Sequence, residues 1–184
     1  DSGTGKSTSI RTLDPKETFI INIANKPLPF KGWKSKYTQI TKDNPKGNLT
    51  SAATAPGIIK AMRHVNDKMG HIKTIVVDDW QYMSSFEYFD RANEKGYEKF
   101  TQIAANLAQV AKLPKDLRDD LTIIFLTHSE DSTDINGNRK IKAKTVGKMI
   151  DNTLTLEGLF SIVLFGKVNK NDDGELEYGF ETQN

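Results

Sequence analysis

The stretch Asp1-Ser-Gly-Thr-Gly-Lys-Ser-Thr8 constrains this chain most, because it matches the pattern G-x-x-x-x-G-K-[ST] from its second position onward. Gly3 and Gly5 let the backbone turn so that successive N–H groups converge on phosphate oxygens, and a helix start after the loop adds its positive dipole end. The candidate nucleotide-binding residues are therefore Ser2, Gly3, Thr4, Gly5, Lys6, Ser7 and Thr8. In this pattern Lys6 reaches the β and γ phosphates of ATP, and the Ser7 hydroxyl ligates Mg²⁺. A Gly/Ser-rich turn with a chance lysine is the competing explanation, and a matching acidic motif downstream decides against it. Such a loop is normally fed by a buried strand, so a short apolar strand and a glycine are expected before Asp1. The strand-like, uncapped segment at Asn184 gives a similar expectation for the other end.

Periodicity and punctuation then predict one α/β domain over 1–184. A first helix is expected from Lys6 to about Leu13, stopped at Asp14-Pro15, followed by a buried strand over Thr18–Ala24. The proline-bearing stretch between Asn25 and Gly57 reads as loop, with a short strand at Tyr37 to Thr41. Ile58, Met62, Val65 and Met69 fall at helical spacing before Gly70, giving a helix from about Ala55 to Met69. Ile72–Val77 is a β-branched strand of the kind buried in parallel sheets, ending in Asp78-Asp79. A third helical region is best defined from Tyr97 to Lys112, and Leu121–Thr127 is the next strand, with His128 at its end. Hairpins follow, signalled by Asn136-Gly137 and by Asn171-Asp-Asp-Gly174 between Phe160–Val168 and Leu176–Phe180. The fold class is a three-layer P-loop NTPase with a mostly parallel central sheet and C-terminal antiparallel hairpins.

Composition excludes other classes. No apolar run approaches the roughly 20 residues that span a bilayer, so no membrane partner is expected. The chain has no cysteine and hence neither a disulfide framework nor a thiolate metal site. The cytoplasm is the expected compartment. A net charge of +2 says little about a polyanionic partner; the uneven placement of lysines says more.

Asp78 is the downstream acidic partner that the phosphate loop requires. A carboxylate at the C-terminal edge of a buried strand faces the ligand crevice and can hold the magnesium shell. Asp79, directly after it, is the candidate general base that polarises the attacking water; capping of the following helix is its alternative role. His128 ends the third strand, where it can sense the γ-phosphate or simply be solvated. His64 and His71 read as surface residues.

Two basic clusters remain. Arg139, Lys140, Lys142, Lys144 and Lys148 lie on and after the second arm of the Asn136-Gly137 hairpin, with Lys140, Lys142 and Lys144 on one face. Such a face can reach the γ-phosphate of a neighbouring subunit, making Lys142 and Lys144 candidate catalytic residues. It can also contact DNA phosphates, or simply blunt a solvated edge strand. Lys26, Lys31, Lys34, Lys36, Lys42 and Lys46 are interleaved with Phe30, Trp33 and Tyr37. That is the composition of a single-strand binding surface, and equally of a loop packed on its own aromatics or of an adenine-holding aromatic.

With these residues in view, the chain resembles phage-encoded ATPases with a RecA-like core, a group that includes single-strand annealing and recombination proteins. The resemblance rests on the phosphate loop, Ile20-Ile-Asn-Ile-Ala-Asn-Lys-Pro-Leu-Pro-Phe30, Ile75-Val-Val-Asp-Asp79, Leu126-Thr-His-Ser129 and Lys144-Thr-Val-Gly-Lys-Met-Ile-Asp151. It implies ATP with Mg²⁺, self-association into a ring or filament, action on single-stranded DNA, and a single-strand binding protein as a further partner. The chain departs from the bacterial recombinase pattern in having no glutamate at the end of the strand after the first helix. A nucleotide or small-molecule kinase is the alternative, and an ATP-switched binding module with negligible turnover is a third. Strand order separates the first two: the kinase places the Asp78 strand beside the strand that feeds the phosphate loop.

Overall fold

The computed structural model describes residues 3–133, 137, 139–145 and 155–182. Ser2, Asn136 and Lys148 fall outside the described residues, as do the side chains of Arg139 and Lys140 and most of the segment Lys144–Asp151.

The phosphate loop runs into helix α1 (Lys6–Ser9), which tightens into a 3₁₀ turn over Ile10–Thr12. Strand β1 (Thr18–Asn22), the short helix α2 (Trp33–Lys36), strand β2 (Leu49–Thr50) and helix α3 (Ala55–Lys68) come after it. Next come β3 (Thr74–Asp78), α4 (Gln81–Asp90), α5 (Glu98–Lys112) and β4 (Thr122–Phe125). Two hairpins complete the described chain, β5 (Ser129–Thr133) with β6 (Arg139–Ala143), and β7 (Leu164–Lys170) with β8 (Leu176–Thr182). Among the described residues no helix is long and apolar enough to cross a membrane.

The central sheet has the order β2-β1-β3-β4, and every pairing in it is parallel. Its alternating side chains divide the core in two. Phe19, Ile21, Ile75 and Val77 point to one face, where Ile58, Met62 and Val65 of α3 and Ile103, Leu107 and Val110 of α5 cover them. Ile20 and Val76 point to the other, against Ile10, Leu28, Tyr37 and Leu49. Helices on one face, the phosphate-loop segment on the other and the sheet between make the three layers of a P-loop NTPase. Each large side chain so buried contributes about 1.5–3 kcal/mol relative to exposure, so this double packing fixes the height at which the strand ends emerge.

Thr54 starts α3 as the sequence requires: its Oγ1 accepts from the Gly57 N–H at 3.3 Å, with proline in the first turn. The expected strand at Tyr37 to Thr41 reduces to one parallel bridge, Gln39 with Leu49, because Tyr37 turns inward as core and local turns centred on Asn44 take up the residues between. The third helical region is two helices. Residues 81–90 carry serines and aromatics, poor helix formers, and show no strong apolar periodicity; tertiary packing on α5 makes them helical. Gly96, at φ 92, allows the break between the two.

Candidate functional site

Register builds the site. Asn22 and Asp78 are paired at the C-terminal ends of β1 and β3, so the turns that leave these two strands emerge on the same edge of the sheet. The phosphate loop is held above that edge. Gly3 and Gly5 take φ values of 83 and 80, which only glycine adopts without strain, and the Ser9 N–H donates to the Gly5 carbonyl at 2.9 Å to close the first helical turn. The Lys6 ammonium donates to Thr4 Oγ1 at 3.0 Å.

Ser7 Oγ donates to Asp78 Oδ1 at 2.8 Å, which joins the loop to the end of β3. Asp78 is only 5% exposed, and burial raises its carboxyl above the ordinary value, partly offset by the Ser7 hydroxyl. Lys6 is shifted the other way: burial lowers its pKa, while the charges of Asp79 and Asp78 oppose that. Ser7 and Asp78 fit a magnesium shell, since they form a pair of hard oxygen donors whose carboxylate is starved of solvation. Among the described residues no group of three or more His, Cys, Asp or Glu converges into an all-protein cage, and magnesium is normally held by one or two side chains plus phosphate and water.

Asp79 is also 5% exposed, and its φ of 60 places a non-glycine residue in the left-handed region. Aspartate tolerates this better than most residues, at a cost on the order of 1 kcal/mol. The conformation turns the chain sharply between β3 and α4, and the Trp80 N–H donates to the Leu126 carbonyl at 2.9 Å. Asp79 does not cap α4: the N-cap is Trp80, without a side-chain cap bond. Its carboxylate instead forms an ion pair with the Lys26 ammonium and lies 3.7 Å from His128 Nε2, an electrostatic contact longer than a hydrogen bond.

His128 is placed by a residue that sequence reasoning missed. The buried Gln81 uses one oxygen, Oε1, to accept from Thr127 Oγ1 and from the His128 N–H, both at 3.1 Å. Burial lowers the His128 pKa below the ordinary imidazole value, and the nearby Lys6 charge adds to the effect, against Asp79. Its sequence neighbours assign Lys26 to the exposed basic loop, and the fold moves it into the site. Asn22 Nδ2 donates to the Lys26 carbonyl at 2.6 Å and Asn22 Oδ1 accepts the Lys26 N–H at 3.3 Å, closing the turn after β1. The Lys26 ammonium also sits 5.4 Å above the Tyr82 ring, and its pKa is raised, chiefly by its bond to Asp79. A lysine four residues past a buried strand end is the signal that could have found it.

The remaining sequence candidates lie elsewhere. Lys142 pairs with Glu130 across its own hairpin at 3.1 Å, and Lys144, just past β6 and exposed, donates its backbone N–H to the His128 carbonyl at 2.8 Å. Thr8 is in α1 and half-buried. In the long loop, Tyr37 is buried, Phe30 meets it edge-on at 6.4 Å, and Trp33 packs on the same cluster. The aromatics there are mainly core, while Lys31, Lys34, Lys36, Lys42 and Lys46 are exposed. A cavity of about 70 Å³ adjoins the loop between Thr4, Lys6, His128, Glu157, Leu164 and Gly166.

Comparison with protein families gives a match to a family described as an AAA domain, over residues 1–184. Comparisons with curated proteins and with solved structures gave no match.

Proposed function

The chain belongs to the AAA domain family, and on that premise we propose that it is a Mg²⁺-dependent ATPase of phage recombination that assembles on single-stranded DNA. The observation that carries the nucleotide half of this reading is the 2.8 Å contact between Ser7 Oγ and Asp78 Oδ1. It joins the phosphate loop to the acidic strand end, and these two oxygens would be donors to a divalent ion there.

In this reading the N–H groups from Gly3 to Ser7 bind the β and γ phosphates, and Lys6, whose charge burial penalises, gains a partner when they arrive. Ser7 and Asp78 would hold a magnesium ion, whose charge would offset that of the phosphate oxygens. Asp79 accepts the proton of the attacking water, and its buried, fixed position orients that water toward the γ-phosphate. His128, neutral through burial, offers a hydrogen bond at the same edge and continues directly into β5, so a change in its contacts is passed to that hairpin.

Strand order favours this reading over a kinase. Both edges of β3 are occupied, by β1 and β4, so a strand feeding the phosphate loop cannot lie beside it. The DNA half is supported by the exposed lysines of the 31–46 loop, which suit phosphate backbone contacts; base stacking on Tyr37 has no support, because that ring is core. Lys142 and Lys144 serve in trans in the assembled state, with Lys142 exchanging Glu130 for a neighbour's phosphate.

Phosphate release measured with and without Mg²⁺ and single-stranded DNA, beside the particle mass, tests the whole. Mg²⁺-dependent release that rises with DNA and with assembly is expected, and is lost in Lys6→Ala. Turnover indifferent to DNA would leave the ATPase and remove the recombination role; turnover equal in Lys6→Ala would remove both.

A further inference from the structure

The hairpin of β7 and β8 is amphipathic, and its apolar face is turned toward the phosphate loop. Pairing of Gly166 with Phe180, Val168 with Tyr178 and Lys170 with Leu176 puts these residues on one face, while Lys167 and Glu181 form a 2.6 Å ion pair on the other. Two close approaches fix which face meets the loop. A Cβ built on Gly5 would lie 3.1 Å from Tyr178 Cδ1, and one built on Gly166 would lie 3.0 Å from Thr4 Oγ1. Gly5 is thus required by its φ, and a Cβ there would also crowd the Tyr178 ring.

The face touches the loop without being covered. Tyr178 is 58% exposed, Phe180 57% and Leu176 54%. An aromatic strip left open to water on the side of a phosphate cradle suits a planar apolar occupant, and a nucleotide held by its phosphates brings one: its base, tethered within one ribose of the loop. Continuity with the cradle selects the base over a separate partner, which would have no reason to end at Gly5.

We propose that Tyr178 is the base-stacking residue of the nucleotide site, with Phe180 extending its platform, so that the β7–β8 hairpin selects a nucleoside triphosphate over a bare polyphosphate. This rests on the phosphate-binding role of the loop. Stacking on an aromatic side chain corresponds to about 5- to 150-fold in affinity.

The test titrates ATP and inorganic tripolyphosphate, each with Mg²⁺, into the wild-type chain, Tyr178→Ala, Tyr178→Phe, Tyr178→Leu and Lys6→Ala, with thermal melts and particle mass recorded for each. The expected result is ATP binding weakened about tenfold or more in Tyr178→Ala and Tyr178→Leu, tripolyphosphate binding unchanged, and full recovery in Tyr178→Phe. Equal loss of both ligands would make the hairpin a prop for the loop and overturn the proposal. An unchanged ATP-to-tripolyphosphate ratio, with a shift in mass, would assign the face to a second copy and overturn it too. Wild-type protein that bound neither ligand would remove the phosphate reading and the base site with it, whereas loss of both ligands in Lys6→Ala alone leaves that reading intact.

Discussion

Ser7 Oγ and Asp78 Oδ1 meet at 2.8 Å although 71 positions separate them in the chain. The contact spans the loop and the buried sheet edge, so it sets a hydroxyl of the loop against a desolvated carboxylate.

Asp78 should therefore make the apo protein less stable at neutral pH. Its folded pKa is raised by burial, so its stabilising contribution is present below the unfolded value of 3.8 and is lost as pH rises through the folded one. Asp78→Asn keeps an acceptor for Ser7 and removes the charge. The expected outcome is a higher Tm than wild type at pH 7 without Mg²⁺, converging with it at low pH, together with loss of Mg²⁺-dependent ATP binding. A variant Tm below wild type at every pH contradicts this.

Asp79→Asn should separate binding from turnover. Asparagine also tolerates the left-handed backbone at this position, so the turn into α4 survives. General bases supply on the order of 10²- to 10⁴-fold, and phosphate release should fall by that factor with ATP affinity kept within a few-fold. Isothermal titration beside a phosphate-release assay reads both numbers; unchanged release would take the base role from Asp79.

His128 should set an acid limb of stability. Its folded pKa is lowered by burial and by Lys6, so its contribution is present above the unfolded value of 6.5 and is lost as pH falls through the folded one. Tm measured from pH 7.5 down to 5 should drop more steeply in wild type than in His128→Gln. Parallel curves would show that the imidazole titrates in the fold as it does in the unfolded chain.

Trp80 holds the acidic turn in place. Its ring is 1% exposed and packs against Phe125 at 4.9 Å and Phe160 at 5.7 Å, so it ties the residue after Asp79 to β4 and to the segment before β7. Trp80→Ala should cost about 3–5 kcal/mol in urea unfolding. Trp80→Phe should retain most of the stability, and a loss below about 1 kcal/mol in the alanine variant would mean that the cavity collapses freely.

Much of the candidate site's arrangement could be read from the chain. The loop glycines, Lys6, Ser7 and the apolar strand ending in Asp78 are local patterns, and the spacing of Ile58, Met62 and Val65 declared a buried helix face before any packing was known. Patterns failed where a residue's role depended on distant neighbours. Lys26 and Tyr37 share a basic aromatic stretch, yet one ammonium reaches Asp79 while the other residue's ring sinks into the core. Gln81 carries no motif at all and matters because β4 brings Thr127 and His128 to its carboxamide.

Sequence by itself determined the glycine turns of the opening loop and the strands that must be buried, because backbone conformational limits and hydrophobic periodicity act within a few residues. Tertiary structure alone decided which charge faces Asp79, which polar group orients His128, and that the face carrying Tyr178 lies against Gly5. Those outcomes depend on sheet order and register, which arise from packing between segments tens of residues apart and leave no periodic trace in the chain.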